Sequence, residues 1–375
     1  MNCIDVIFFQ AELAPEKIAV VAQGTVISYR RLMHGIISAQ RRFTAAGLTA
    51  GQTVGVLISH PIDHVVVTCA LHRMKLTSAS ISVAPELYLD RIAFDAVLSD
   101  HVTPIVTRKR PSARLYLVDT SWFQDEVTFS VAERSGASRD ADWVCRRSCV
   151  PDDDRLPPVI DTTASSLEAQ LIGLQLCAPA DWERMIVVSS PWSDSGYLHG
   201  LSALAQGRTV CFSDPGTARG LIVAYKHHYL VGGTADVVPM LTQQSVSHVA
   251  MPALRCACIE GHSFSDTMIA QVLSQVSSNT ILSYRHPQAG IVAFGAASRV
   301  RSVPGGVGYV APWMDVEIVD DGGKPVSAAK PGELRVRRRT DTQSVWRSSA
   351  APGDGWIYPG QRARRLPDNL LVVGG

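Results

Sequence analysis

VPGGVGYVAPWMDVEIVDDGGKPVSAAKPGELRVR, residues 303–337, alternates short apolar strands with turn chemistry. VGYV and VEIV have the every-other-residue apolar pattern of strands. Asp320-Asp321-Gly322-Gly323 is a turn, and Pro331-Gly332 opens a further strand, ELRVR. By pattern alone this is a small β-barrel or sandwich.

Around it lies a chain of 375 residues, 46% apolar, long enough to bury a large core and to form two or three lobes. Thirty-five basic and 34 acidic side chains leave a net charge of +1, so no global field favours nucleic acid or an anionic membrane. No apolar run reaches the length of a membrane span, and the N-terminus lacks the basic flank and cleavage site of a leader. The eight cysteines include no Cys-x-x-Cys pair and sit mostly in apolar segments, which points to buried, reduced thiols in a cytoplasmic protein. His60, His64 and His72 are read as packing or surface residues, not metal ligands, because no acidic partner is evident beside them.

Ser28 to Gly47 predicts a helix: Leu32, Ile36, Ala39, Phe43 and Ala46 step along one face, with Ser28 capping its start and Gly47 its end. TVGVLIS (53–59) predicts a strand, and Pro61 suits the first turn of the next helix. ASISV (79–83) and PIVT (104–107) are expected to be strands separated by a helix after Pro85. Residues 108–165, with mixed charges and Asp152-Asp153-Asp154, read as a solvated, partly irregular connector. From Arg184 the alternation resumes, with strands RMIVVSS, RTVCFS, YLVGG, LRCACI and ILSY and helices between them. Such alternation predicts mostly parallel sheets covered by helices.

The order of these parts resembles the adenylate-forming enzymes, which include acyl- and aryl-CoA synthetases, peptide-synthetase adenylation domains and luciferases. The opening stretch 303–337 resembles their β-barrel subdomain. Ile27-Ser28-Tyr29-Arg30-Arg31-Leu32 is similar to the family's "(L/I)(T/S)Y-x-x-L", and residues 47–85 follow its "G-x-x-x-GDxVA…N…A-x-x-x-GA-x-x-x-P" line. The resemblance implies an α/β chain of two helix-covered, mostly parallel sheet subdomains plus a small β-barrel subdomain. Its expected boundaries are 1–165, 166–300 and 301–375, with the family's C-terminal lid domain absent.

The resemblance also implies where ATP or AMP and magnesium would bind. The phosphate loop falls at Val159–Leu167, where Thr162 and Thr163 supply hydroxyls but glycine and lysine are missing, so these hydroxyls are expected to cap the following helix. The adenine positions fall at Gly261 and Tyr284, and Gln288 stands where the family has its magnesium-binding glutamate. Gln361, in Asp354-Gly355-Trp356-Ile357-Tyr358-Pro359-Gly360-Gln361, replaces the aspartate that accepts both ribose hydroxyls. Asp194 lies where amino-acid-activating relatives hold a substrate ammonium, and a helix cap is the plainer role for it. No catalytic residue and no metal ligand is assigned.

Three functions remain open on these residues. One is an impaired acyl- or aminoacyl-adenylating homologue that keeps a nucleotide, carboxylic-acid or acyl-adenylate ligand. Another is a part of a ligase that a separate C-terminal domain completes in trans. The third is a non-enzymatic protein that binds a partner, on the face the lid would cover. Arg335, Arg337, Arg338, Arg339, Arg362, Arg364 and Arg365 make that face basic.

Overall fold

The computed structural model describes residues 3–82, 85–123, 143–149, 158–242, 251–339 and 355–374. Val83, the run Asp152–Asp154 and Asp354 lie outside the described residues. The chain forms two compact units, one of Met1–Leu171 with Ser190–Phe212 and one of Ile172–Ser189 with Ser213–Gly375.

The first unit holds β1 (Ile18–Ala22), β2 (Thr25–Ser28), β3 (Thr53–Leu57), β4 (Thr77–Ser80), β5 (Ala96–Ser99), β6 (Arg114–Leu117), β7 (Val144–Cys149) and β8 (Val159–Thr163). A six-stranded sheet runs β6-β5-β3-β4-β7-β8, parallel except for the β7–β8 pair. Every residue of β3 is buried, as a central parallel strand covered on both faces requires. Leu57, Ile81, Leu89, Phe94, Val97 and Val106 pack together in one core cluster. The helix Tyr29–Ala45 starts as the sequence predicts: the Ser28 hydroxyl accepts from Arg31 N at 3.2 Å. Its apolar face is sealed, with Leu32, Ile36, Ala39 and Phe43 fully buried. Pro61 opens the helix Pro61–Arg73.

Two expectations for this unit are corrected. Residues 104–107 are not a strand but the start of the helix Pro104–Lys109. Proline at the first helical position has its φ already set and loses no useful donor, and Thr107 Oγ1 donates back to Pro104 O at 2.9 Å. The stretch 108–165 is not merely a connector, because it supplies β6, β7 and β8. The alternation in VCRRSC is masked by polar residues that face inward: Arg146 and Ser148 are each 4% exposed.

The second unit begins with β9 (Arg184–Val187), after which the chain returns to the first unit for β10 (Thr209–Phe212). β10 lies parallel to β1, which pairs antiparallel with β2. In the second unit β9, β11 (Tyr229–Gly233), β12 (Cys256–Glu260) and β13 (Thr280–His286) are parallel neighbours. An antiparallel series follows: β14 (Gly290–Ala296), β15 (Gly306–Val310), β16 (Met314–Val319), β17 (Gly332–Arg338), β18 (Arg362–Arg365) and β19 (Leu370–Val373). Their spatial order from β13 is β14-β15-β19-β18-β17-β16. VGYV, VEIV and ELRVR of the opening stretch are thus β15, β16 and β17, and Asp320 Oδ1 accepts from Gly322 N at 2.9 Å in the expected turn. Gly308 has φ +134° and sits with the Phe294 backbone 2.6 Å from where a Cβ would be, so only glycine fits there. The fold class is therefore α/β, with parallel, helix-flanked strands in both units and an antiparallel set closing the chain.

All eight cysteines are buried and unbridged. Burial pushes the Cys69 and Cys145 thiols up to about 12, which disfavours the thiolate form. Among the described residues no helix is long and apolar enough to cross a membrane.

Candidate functional site

In the second unit the ends of β12 and β13 come together. Gly261 follows β12, and its N–H donates to Ser283 O on β13 at 3.1 Å. A Cβ on Gly261 would lie 2.8 Å from the Thr234 methyl and 3.1 Å from the Phe264 ring. This glycine is demanded by close packing against Phe264 and against the start of the helix Thr234–Thr242, quite apart from any ligand.

Tyr284, on β13, is fully buried. Burial pushes its phenol well above the usual range, so the hydroxyl keeps its proton, and it donates to Gln361 Oε1 at 2.7 Å. Gln361 is held just before β18, where its carbonyl accepts from Leu334 N on β17 at 2.9 Å. Two positions 77 residues apart, singled out separately in the sequence, are therefore in direct contact.

Beside them stands an ion pair that sequence reasoning did not anticipate. Arg285 Nε lies 3.5 Å from Glu260 Oε1, with the two side chains 11% and 8% exposed. His262 packs edge-on against Tyr284, ring centroids 5.8 Å apart. Burial, reinforced by Arg285, lowers the His262 imidazole below its ordinary range. His286 is lowered to about 4 by burial first, then by His262 and Arg285. Gln288 N donates to His286 Nδ1 at 3.3 Å. The donors around Gln288 are thus a neutral amide and an imidazole, which do not suit magnesium, a hard dication that selects carboxylate oxygens. Among the described residues no group of three or more His, Cys, Asp or Glu side chains is placed to hold a metal ion.

The remaining sequence-singled residues lie in the first unit. Thr162 and Thr163 end β8, and Thr163 Oγ1 accepts from Ser166 N at 3.2 Å, capping the helix Ala164–Cys177 as expected. The cap reading of Asp194 is corrected: Ser193 caps the helix Asp194–Ala205, accepting from Gly196 N at 3.0 Å. Asp194 instead accepts from Arg146 Nε at 3.2 Å. Arg146 also donates to Ser80 Oγ at 2.9 Å and Trp192 O at 3.1 Å, and its guanidinium lies 4.3 Å from the Tyr197 ring centroid. The only sequence signal for this hub was a charged residue inside the short strand VCRRSC. The expectation that no acid accompanies the histidines is also corrected, since His60 Nδ1 lies 3.5 Å from Asp63 Oδ2. His64 and His72 themselves are buried packing residues.

Much of the basic set near the end of the chain is paired within its own sheet. Arg335 meets Glu317 at 2.5 Å, while Arg337 and Arg339 meet Asp315 at 3.1 and 2.7 Å. Arg335 and Arg337 both stack on Trp356, at 4.6 and 4.4 Å.

No protein-family model matches the chain. A component of the mycosubtilin synthase of Bacillus subtilis is 22% identical over 98% of this chain and 15% of its own length. A long-chain-fatty-acid–CoA ligase from Yersinia pestis is 22% identical over 44% of this chain and 31% of its own length. The chain thus spans less than a third of either relative. Among solved structures, the O-succinylbenzoate coenzyme A synthetase of Bacillus subtilis, in complex with ATP and magnesium, superposes with a TM-score of 0.84 at 14% identity, over 98% of this chain and 78% of that one. An amide bond synthetase from Marinactinospora thermotolerans gives 0.82 at 16% identity, over 100% and 79%. A luciferase-like enzyme from the mealworm Zophobas morio gives 0.84 at 14% identity, over 100% and 95%. These relatives and neighbours are adenylate-forming enzymes, and the chain has the fold of their N-terminal core.

Proposed function

We propose that this chain is an adenylate-forming ligase homologue that keeps a nucleotide or acyl-adenylate site in its second unit but does not carry out carboxylate adenylation. The observation that carries this reading is the 2.7 Å contact between Tyr284 Oη and Gln361 Oε1, which joins two of the family's nucleotide motifs. Support for a ligand of this class comes from the neighbour seen with ATP and magnesium.

The chemistry that adenylation requires is what the residues lack. Charge developing on the α-phosphate needs cations and hydrogen-bond donors preorganised around it. The Val159–Leu167 segment supplies neither lysine nor glycine, and its Thr163 hydroxyl is committed to a helix cap. Gln288 offers magnesium no carboxylate, and Gln361 offers a ribose one neutral acceptor oxygen, already bonded by Tyr284, in place of two charged ones.

Isothermal titration of AMP, then of ATP with and without magnesium, tests this. Both nucleotides are expected to bind, and magnesium is expected to raise ATP affinity by less than tenfold, about 1.4 kcal/mol. A larger magnesium-dependent gain would mean that a carboxylate elsewhere holds the metal.

A further inference from the structure

The ring of Tyr284 is 0% exposed, so as the chain stands no base can lie against it. Its hydroxyl is tied to Gln361 at 2.7 Å, so the tyrosine is held in place and is not the part free to move. The exposed side chain packed on it is His262, with ring centroids 5.8 Å apart and ring planes at 72°. Among the described residues the His262 ring makes no hydrogen bond, and this aromatic contact is what holds it.

The loop that carries His262 is anchored on both sides of it. Gly261 N–H donates to Ser283 O at 3.1 Å, Phe264 is 7% exposed, and Ser265 Oγ accepts from Met268 N at 3.2 Å to cap the helix Asp266–Gln275. His262 and Ser263, between these anchors, are exposed. The imidazole can therefore turn away from Tyr284 about its own side-chain bonds without unseating the loop. Resting on the nucleotide reading above, we propose that His262 is a built-in gate on Tyr284: its imidazole takes the place of an aromatic base against that ring and turns out when a base enters. The gate lowers the apparent affinity by the fraction of chains in which the imidazole has turned out. One edge-to-face aromatic pair sets that penalty at a factor of about three to ten.

Calorimetry on the intact chain with AMP, and with ribose phosphate, which lacks the base, tests this. His262→Ala should bind AMP about three- to tenfold more tightly than the native chain and leave ribose phosphate unchanged. His262→Phe keeps a ring against Tyr284 and should gain nothing. A readout without ligand is fluorine NMR of the chain labelled with fluorotyrosine, the Tyr284 signal being assigned by its loss in Tyr284→Phe. That signal should show no solvent isotope shift in the native chain and a clear one in His262→Ala. Three results would overturn the gate while the nucleotide reading stood: AMP binding unchanged or weakened in His262→Ala, an equal gain for ribose phosphate, or a Tyr284 signal still shielded from solvent in that variant. AMP binding to neither form would overturn the nucleotide reading and the gate with it.

Discussion

Replacing Arg146 with methionine is expected to lower the free energy of unfolding by about 3–5 kcal/mol, the usual result of removing one partner from a buried charge network. The guanidinium is 4% exposed and ties β7 to β4 through Ser80, and to the segment before the helix Asp194–Ala205 through Trp192 O and Asp194. Methionine fills a similar volume but leaves the Asp194 carboxylate without its counter-charge and the Trp192 carbonyl without its donor. Asp194→Asn keeps an acceptor oxygen and removes only the charge, so a smaller loss, about 1–3 kcal/mol, is expected. Urea unfolding followed by tryptophan fluorescence reads both. A loss below about 1 kcal/mol for Arg146→Met would contradict the structural role given to this pair. It would also return Asp194 to the substrate-binding role that its sequence position suggests.

Acidification should unfold the chain between about pH 6 and pH 5. Burial lowers His64 to about 3, and His72, His227 and His286 to about 4. His227 is 1% exposed, and neither ring nitrogen has a hydrogen-bond partner among the described residues, so protonating it in place is unfavourable. Each of these groups has a folded pKa below its unfolded value of about 6.5. Below that value the unfolded chain takes up protons that the folded chain refuses. Stability is therefore fully present above about pH 6.5 and is lost until the folded groups titrate near pH 4. At pH 5 each group removes about 2 kcal/mol, and the four together about 8, comparable with the whole stability of an ordinary domain. Circular dichroism against pH measures this, and His227→Leu should move the acid midpoint downward. A native spectrum held at pH 4.5 would contradict the prediction.

The elements legible in the sequence were those whose signal is local. Ser28 and its helix, the all-apolar β3 and the Asp320–Gly323 turn each announce themselves within a few residues. What stayed hidden depends on partners far along the chain. β7 is not recognisable as a strand until Arg146 meets Ser80, Trp192 and Asp194, 66, 46 and 48 residues away. Residues 104–107 have the apolar, β-branched content of a strand, yet Pro104 and the buried Val106 fix a helix. At the site, motif spacing singled out Tyr284 and Gln361 as separate positions but not that one would donate to the other. The Glu260–Arg285 pair was equally out of reach, since its members stand on different strands, β12 and β13, and no motif joins them.

On the proposed reading, the fold of an adenylate-forming core is present without adenylation chemistry, and the deficit lies in the Val159–Leu167 segment, Gln288 and Gln361. Carboxylate-dependent ATP–pyrophosphate exchange measures this most directly, over a panel of fatty, aryl and amino acids. It should be run with the chain alone and with the C-terminal domain of a working homologue added in trans. Each lost transition-state contact of this kind is worth on the order of 10²–10³ in rate, so exchange is expected at the level of the blank in both arrangements. Exchange above the blank in either, dependent on one class of acid, would contradict the account and show that other residues supply the missing charges.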